Sequence, residues 1–337
     1  MAKIVLGIAS SHGPLLGTPP EQWSQRVEAD KRHPGHPFRD GTFKYDELVK
    51  RFAGNKLDEQ IALPVRQKRH AACQEAIAHL AKLFNEAKPD VTVILGNDQM
   101  ELFADTNFPA FMVYYGETIE NVPFSPEQKK KLPPGIEIAE WNHHPEAAES
   151  YPGHPKLAKH IIDTLMEREF DIAVSNKLAN PSSSNSTGIP HAFGFVYRRL
   201  THERQVPSVP VFINGYYPPN QPKSARCLAL GKIIAQAIAS WDDNLRVAVI
   251  GSGGMSHFVI DEELDRAFLA ALEKEDSNAL LAIPAYNYRS GTSELKNWIP
   301  LFGAMMEAKL KMKLVDYVPC YRSEAGTGNA MGFAYWH

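Results

Sequence analysis

Cysteine is scarce in this chain. Cys73, Cys227 and Cys320 are the only three in 337 residues, and they are too few and too widely spaced for a disulfide framework or a CxxC zinc knuckle. A reducing compartment is the simplest expectation. Long hydrophobic runs are lacking too, since nothing approaches the roughly 18 to 20 consecutive apolar residues that a membrane span needs. The first apolar run, residues 4–9, follows a single lysine and leads into a histidine loop instead of a cleavage site. Basic charge is not in excess: 36 Lys and Arg against 39 Asp and Glu give a formal net charge of −3, so no nucleic-acid or anionic-membrane footprint is expected. Internal repeats and low-complexity tracts are absent. These absences point to a soluble cytoplasmic protein that handles small, neutral or mildly anionic ligands, with 44% hydrophobic residues to build a core.

What the chain does have is a recurring junction between an apolar run and a polar cluster. In RVAVIGSGGMSHFVIDEELD, residues 247–250 read as a short buried strand, Gly251, Gly253 and Gly254 let the backbone turn, and His257 follows at the mouth of the turn. KIVLGIASSHG is an apolar run ending in His12, and VTVILGNDQME is another ending in Asn97, Asp98, Gln99 and Glu101. Ligands bind at the carboxyl ends of strands in open α/β sheets, so three such junctions predict one shared cleft.

The rest of the chain reads as alternating helices and strands. Residues 13–52 are rich in proline, charge and histidine without sustained period, and read as a long surface excursion of the kind that serves as a lid or partner contact; His33 and His36 in it read as solvated loop residues. Residues 65–87 carry a helical apolar stripe, with His70 and His79 as surface or packing residues, and residues 91–95 form the next strand. A possible strand at 111–115 precedes a loop-rich stretch, 116–155. Helix is expected at 156–167, strand at 172–175, and then a polar loop delivers His191 to a helix start, where the positive field favours a neutral imidazole. Strand 209–213 and helix 224–240 follow. After the organising strand come a helix over 260–273 and a polar helix from Ser290 to Met306, in which Ser290 or Thr292 can cap and Glu294 lies in the first turn. A strand, VDYVPCYR, and a glycine-rich turn, AGTGNAMG, close the pattern.

The motifs SSH, ILGND, GHPKLAKHI, GSGGMSHF, SGTSELKNW and GTGNAMG, taken in order, resemble the catalytic β-type subunit of class III extradiol ring-cleavage dioxygenases, the protocatechuate 4,5-dioxygenase and gallate or 3-O-methylgallate dioxygenase group. The likeness runs from His12 to Gly332, with residues 13–65 as an insertion. It implies one large α/β domain over 1–337, a mixed central sheet flanked by helices, and an Fe(II) held by two histidines and a glutamate. His12 matches the first metal histidine, Glu294 the glutamate, and His257 the acid-base histidine near bound oxygen. The insertion would act as a lid or subunit interface, since the related two-subunit enzymes use a separate small chain there, and a homo-oligomer, as a dimer, is expected.

Two positions depart from that pattern. Gln99 stands where the second metal histidine belongs, so Gln99 ligates weakly, Asp98 or Glu101 substitutes, or a histidine such as His70 or His191 enters from elsewhere. The loop histidine that faces substrate aligns with Asn185, and His191, six residues on, is assigned its catalytic work. Asn185 and Thr327 are the expected substrate contacts. The expected reaction is ring opening of a catechol-type aromatic acid by O2, with gallate, 3-O-methylgallate and protocatechuate as leading substrates. For the acid group, Arg198, Arg199 and Arg289 are candidate cations. Metal-dependent hydrolysis on the same fold, or a partner subunit with a degraded site, are the alternatives.

Overall fold

Apolar runs with little polar alternation, such as VTVIL and VAVI, need cover on both faces, and that is how the chain folds. The computed structural model describes residues 1–178 and 188–337. Its strands are β1 (Lys3–Ser10), β2 (His36–Phe38), β3 (Gly41–Phe43), β4 (Val91–Gly96), β5 (Phe111–Tyr114), β6 (Thr118–Asn121), β7 (Glu149–Pro152), β8 (Ala173–Ser175), β9 (Ser208–Ile213), β10 (Arg246–Ser252), β11 (Met312–Tyr321) and β12 (Gly328–Trp336). The α-helices are α1 (Val27–Arg32), α2 (Tyr45–Arg51), α3 (Leu57–Gln60), α4 (Leu63–Ala87), α5 (Pro126–Lys129), α6 (Pro155–Glu167), α7 (His191–Phe195), α8 (Ser224–Ser240), α9 (Glu262–Glu273), α10 (Ser277–Ala282) and α11 (Leu295–Ala308).

An eight-stranded mixed sheet runs in the order β11-β12-β1-β10-β4-β9-β5-β8. Its centre, β1-β10-β4-β9, is parallel throughout, while β12 and β5 join it antiparallel. The period-2 rule sorts the side chains. Val91, Val93 and Leu95 of β4 and Val247 and Val249 of β10 pack with α6, α8, α9 and α11. Ile94, Ala248 and Ile250 point the other way, toward Ile77, Leu80 and Phe84 of α4 and Phe193 and Phe195 of α7. Because β1, β10 and β4 are parallel neighbours in register, with Ser10 opposite Ser252 and Gly251 opposite Leu95, the three junctions found in the sequence open at one edge. No helix among the described residues is long and apolar enough to cross a membrane.

Three expectations need correction. The 13–52 segment is not a bare surface excursion: short 3₁₀ turns, α1, α2 and the β2-β3 hairpin bury Leu15, Leu16, Trp23, Phe38 and Leu48, and His36 is buried with its Nε2 bonded to the Asp30 carbonyl. Its residues pack by tertiary contact, which leaves no periodic signal in the sequence. The helix after Ser290 is not polar: from Leu295 to Met305 every residue of α11 is buried between the sheet and α8. The glycine-rich 325–332 stretch is a turn only at its start, and from Gly328 onward it is β12, an interior strand.

α11 approaches α8 closely enough that backbone meets backbone. A Cβ on Gly231 of α8 would lie 1.8 Å from the Pro300 carbonyl oxygen. Gly231→Ala must therefore push the helices apart, and a destabilisation of about 1–3 kcal/mol or more is expected, as for other overpacked cores. An unchanged urea midpoint in this variant would show that the helices are not in such contact.

Candidate metal centre

Each strand end delivers one part of the site. Beyond β1, His12 is held through Nδ1, 2.8 Å from Ser252 Oγ at the end of β10. The Ser252 hydroxyl spends its one hydrogen on the Ala192 carbonyl, at 2.6 Å, so His12 Nδ1 must be the donor in the first bond. In the neutral ring Nε2 is then a bare lone pair, and it is buried without a hydrogen-bond partner. It faces Glu294 Oε2 at 3.2 Å. Glu294 precedes α11 yet makes no cap with its side chain; its carboxylate turns inward instead, taking the Gly254 N–H at 2.7 Å and the Gln99 amide N–H at 2.8 Å. One turn on, Asn297 donates to Asn97 Oδ1 and to the Ser252 carbonyl, both at 2.7 Å, which pins the start of α11 to the ends of β4 and β10.

His191 completes the cluster. One ligand atom each from His12, His191 and Glu294 lie within 4.8 Å of one another. Glu101, in the turn after β4, accepts from the His191 backbone N–H at 3.0 Å and pairs with Nδ1 at 2.7 Å, which leaves Nε2 for a ligand. A carboxylate behind a histidine in this way is the usual means of fixing the tautomer of a metal-binding ring. Asp98 does not reach the cluster: its carboxylate accepts the N–H groups of Glu101, Leu102 and Phe103 and shapes the turn.

His257 stands beside the cluster. Its Nδ1 donates to the Met255 carbonyl at 2.8 Å, and Nε2 lies 3.7 Å from Glu294 Oε1. The Thr292 hydroxyl bridges its backbone N–H and carbonyl. The ring needs a residue without a side chain at 291, where a Cβ would come within 2.1 Å of His257 Cδ2.

The electrostatics follow from burial and charge. Burial lowers the pKa of His12, more than Glu294 raises it. Burial works against the Glu294 carboxylate, but His12 and His257 outweigh it and hold Glu294 well below the usual carboxylate range. Burial likewise works against a charged His191, but Glu101, aided by Glu294 and Asp98, raises it to about 9. This corrects the expectation of a neutral ring at a helix start, because a carboxylate in contact outweighs the field of a five-residue helix. His12 Nε2 and Glu294 Oε2 are thus two acceptors facing each other in a buried place, an arrangement that a cation relieves. The residues present fit a metal.

The sequence-based assignments are distributed as follows. His12, Glu294 and His257 meet. His191, expected among the catalytic groups, lies in the ligand cluster, and Gln99, expected among the ligands, donates an amide hydrogen to Glu294. The Thr327 hydroxyl is committed to Asp30 at 2.6 Å and paired with Ser323 at 2.7 Å, so it is not directed to a ring hydroxyl. Asn185 lies outside the described residues. His70 packs near Trp23 and Gln74, away from the cluster. Sequence reasoning missed His143, whose ring centroid is 5.9 Å from that of His191; burial, then His144, His191 and His12, hold it well below its ordinary pKa. It sits in an aperiodic stretch, and its only local signal is the adjacent HH pair.

A mixed α/β sheet carries at one edge a buried His12, His191 and Glu294 cluster that could hold a metal ion. The family model described as the catalytic LigB subunit of aromatic ring-opening dioxygenase matches residues 61–328, and the chain belongs to that family. The match takes in Gln99, His191, His257 and Glu294 and begins after His12. Among curated proteins, the chain is 28% identical over 198 residues, 58% of this chain and 51% of the relative, to a 2,3-dihydroxyphenylpropionate/2,3-dihydroxicinnamic acid 1,2-dioxygenase of Comamonas testosteroni. It is 27% identical over 178 residues, 49% of each chain, to a gallate dioxygenase of Pseudomonas putida. The matched stretches thus span about half the length of these relatives.

In the metal-free protein His191 is expected to titrate near 9. A folded-state pKa above the unfolded value means that its pairing with Glu101 stabilises the fold fully below about pH 6.5 and loses that contribution as pH rises through about 9. With Glu101→Gln, burial remains as the main influence and the His191 pKa should fall below its ordinary value. NMR titration of the labelled imidazole checks both, and a pKa indifferent to Glu101 would refute the pairing.

Proposed function

We propose that this protein is a metal-dependent extradiol dioxygenase that opens the ring of a catechol-type aromatic acid with O2. The observation that carries the reading is the buried lone pair of His12 facing Glu294, with His191 Nε2 beside them. His12, His191 and Glu294 would hold a divalent iron, and two histidines with one carboxylate leave positions open for other ligands. Gln99 takes the part of a neighbour that orients Glu294, and Glu101 the part of the group that orients His191. The family membership and the names of the two relatives support the reaction class. Bound iron would supply the electron pathway by which ground-state dioxygen reacts with a catecholate.

The chain's own residues supply the proton chemistry. His257, with Nδ1–H fixed on the Met255 carbonyl, presents Nε2 as an acceptor toward the cluster, so it would take a proton from a ring hydroxyl and later return it. The Glu294 carboxylate lies 3.7 Å from that nitrogen. We read the 13–65 insertion as a built-in cover: Phe38, Tyr45 and Leu48 pack on Val259, two residues past His257, and Arg39 pairs with Asp261 at 2.8 Å.

His12→Ala, His191→Ala and Glu294→Ala should each strip the metal, whereas Gln99→Ala should retain most of it, and Glu101→Gln should weaken metal affinity by roughly 10- to 100-fold. Metal content after dialysis against a chelator reads this directly, and full retention in His191→Ala would return the second ligand position to Gln99. His257→Phe should keep the metal and lose activity by about a hundredfold or more. With labelled dioxygen and gallate or protocatechuate, both oxygen atoms should enter the product. Hydrolysis of an ester or amide without oxygen uptake would replace this reading with that of a hydrolase.

A further inference from the structure

Three arginines were candidates for the acid group of a substrate, and the structure turns each of them to a protein partner. Arg198 pairs with Glu149, and Arg199 donates to Gln74. Arg289 meets no carboxylate among the described residues, and its guanidinium is committed to main-chain carbonyls instead. Nε donates to Tyr286 at 2.9 Å, within its own loop. Nη2 donates to Arg39 at 2.7 Å and to Gly41 at 2.9 Å, both at the turn of the β2-β3 hairpin in the segment that covers the site. The hairpin has a second tie, from Arg39 to Asp261 and Glu263.

The anchored loop touches the His257 ring directly. That ring has a glycine at each of two edges: a Cβ on Gly254 would lie 2.7 Å from Cε1, and a Cβ on Gly291 would lie 2.1 Å from Cδ2 and 2.4 Å from Nε2. The two walls are held by different means. Gly254 belongs to the cluster itself, because its N–H is given to Glu294 at 2.7 Å. Gly291 follows Ser290, whose φ of 53° is a left-handed conformation that a residue with a side chain keeps only where its surroundings impose it. Here they act from both sides. Arg289 is fastened to the hairpin before it, and the Thr292 hydroxyl after it bridges the His257 N–H and carbonyl. The Ser290 hydroxyl also lies 3.5 Å from that of Tyr216, beyond the end of β9.

We propose that Arg289 is the positioning residue of His257: by fastening its loop to the β2-β3 hairpin it holds Gly291 against the imidazole, so that the seating of the cover sets where Nε2 points. A guanidinium suits this task, since its donors lie in one rigid plane and reach three carbonyls at once. Small displacements of a proton-transferring group are costly in catalysis, which is why a wall in contact with its reacting nitrogen matters. The inference deepens the proposed function, on which it rests for the acid-base role of His257. The contact itself needs neither metal nor substrate.

The contact is read first, by NMR on the metal-free full-length chain with labelled histidine and glycine. An NOE should join His257 Hδ2 to the Gly291 Hα protons; Arg289→Met should remove it, and Arg289→Lys, whose ammonium can still donate to carbonyls, should restore part of it. Arg39→Ala, which unties the same hairpin from Asp261 and Glu263, should weaken the NOE and decides the matter where the methionine variant does not fold. An NOE of wild-type strength in Arg289→Met, or in Arg39→Ala where only that variant folds, overturns the proposal. In the iron-loaded protein, Arg289→Met should keep the metal and a KM within about twofold of wild type while kcat falls roughly tenfold. The same substitution should cost nothing further in a His257→Phe background, since a residue that acts through another is not additive with it. A loss that adds in full there marks a merely structural role and overturns the proposal as well. An NOE that depends on Arg289, together with no oxygen uptake on any catechol by the wild type, would uphold the positioning contact and reject the dioxygenase reading.

Discussion

Two acceptors, Nε2 of His12 and Oε2 of Glu294, face each other 3.2 Å apart in a buried place, and much of the molecule serves to hold them so. Ser252 fixes the tautomer that leaves the lone pair inward, and Gly254 and Gln99 fix the carboxylate. Asn297 ties the helix carrying Glu294 to two strand ends, and Trp298 adds a bond from its indole N–H to the Gly253 carbonyl at 2.8 Å. Such a contact is unfavourable by itself. It persists because the surrounding hydrogen bonds are made by rigid elements, which hold the pair preorganised.

The parts of this arrangement that could be read in the sequence are those set by local pattern. The uninterrupted apolar runs of β1, β4 and β10 demand burial on both faces, hence a parallel centre, hence a common edge for His12, Gln99 and His257. Glu294 required the family likeness, because a glutamate before a helix is ordinarily a cap and only the fold shows that its carboxylate turns away from that duty. His191 was named in the sequence both as a catalytic group and as one of several residues that could replace Gln99, with nothing local to choose between them. Its place depends on Glu101, ninety positions earlier in the chain, and no periodicity links the two. The same holds for the 13–52 segment, whose buried Trp23, Phe38 and Leu48 are anchored by partners scattered along the sequence.

The exchange between positions 99 and 191 has a physical logic. An amide at 99 cannot match imidazole as a ligand for a borderline cation, but it donates a hydrogen bond, and here it gives one to a Glu294 oxygen. That bond draws electron density from the carboxylate. The ring of His191, backed by the full charge of Glu101, is made correspondingly more basic. In the proposed centre this would shift donor strength from one side of the cluster to the other while keeping two nitrogens and one carboxylate.

The buried ion pair between Asp30 and Arg322 joins α1 to the β11-β12 turn, and Thr327 closes the loop between them. Ion pairs in such places add little net stability, because both charges are stripped of water; their effect is to permit one arrangement and forbid others. Here the arrangement brings Arg322 over Phe258 and Asn329 against Gly13, so α1 is registered against the residues that follow His257 and His12.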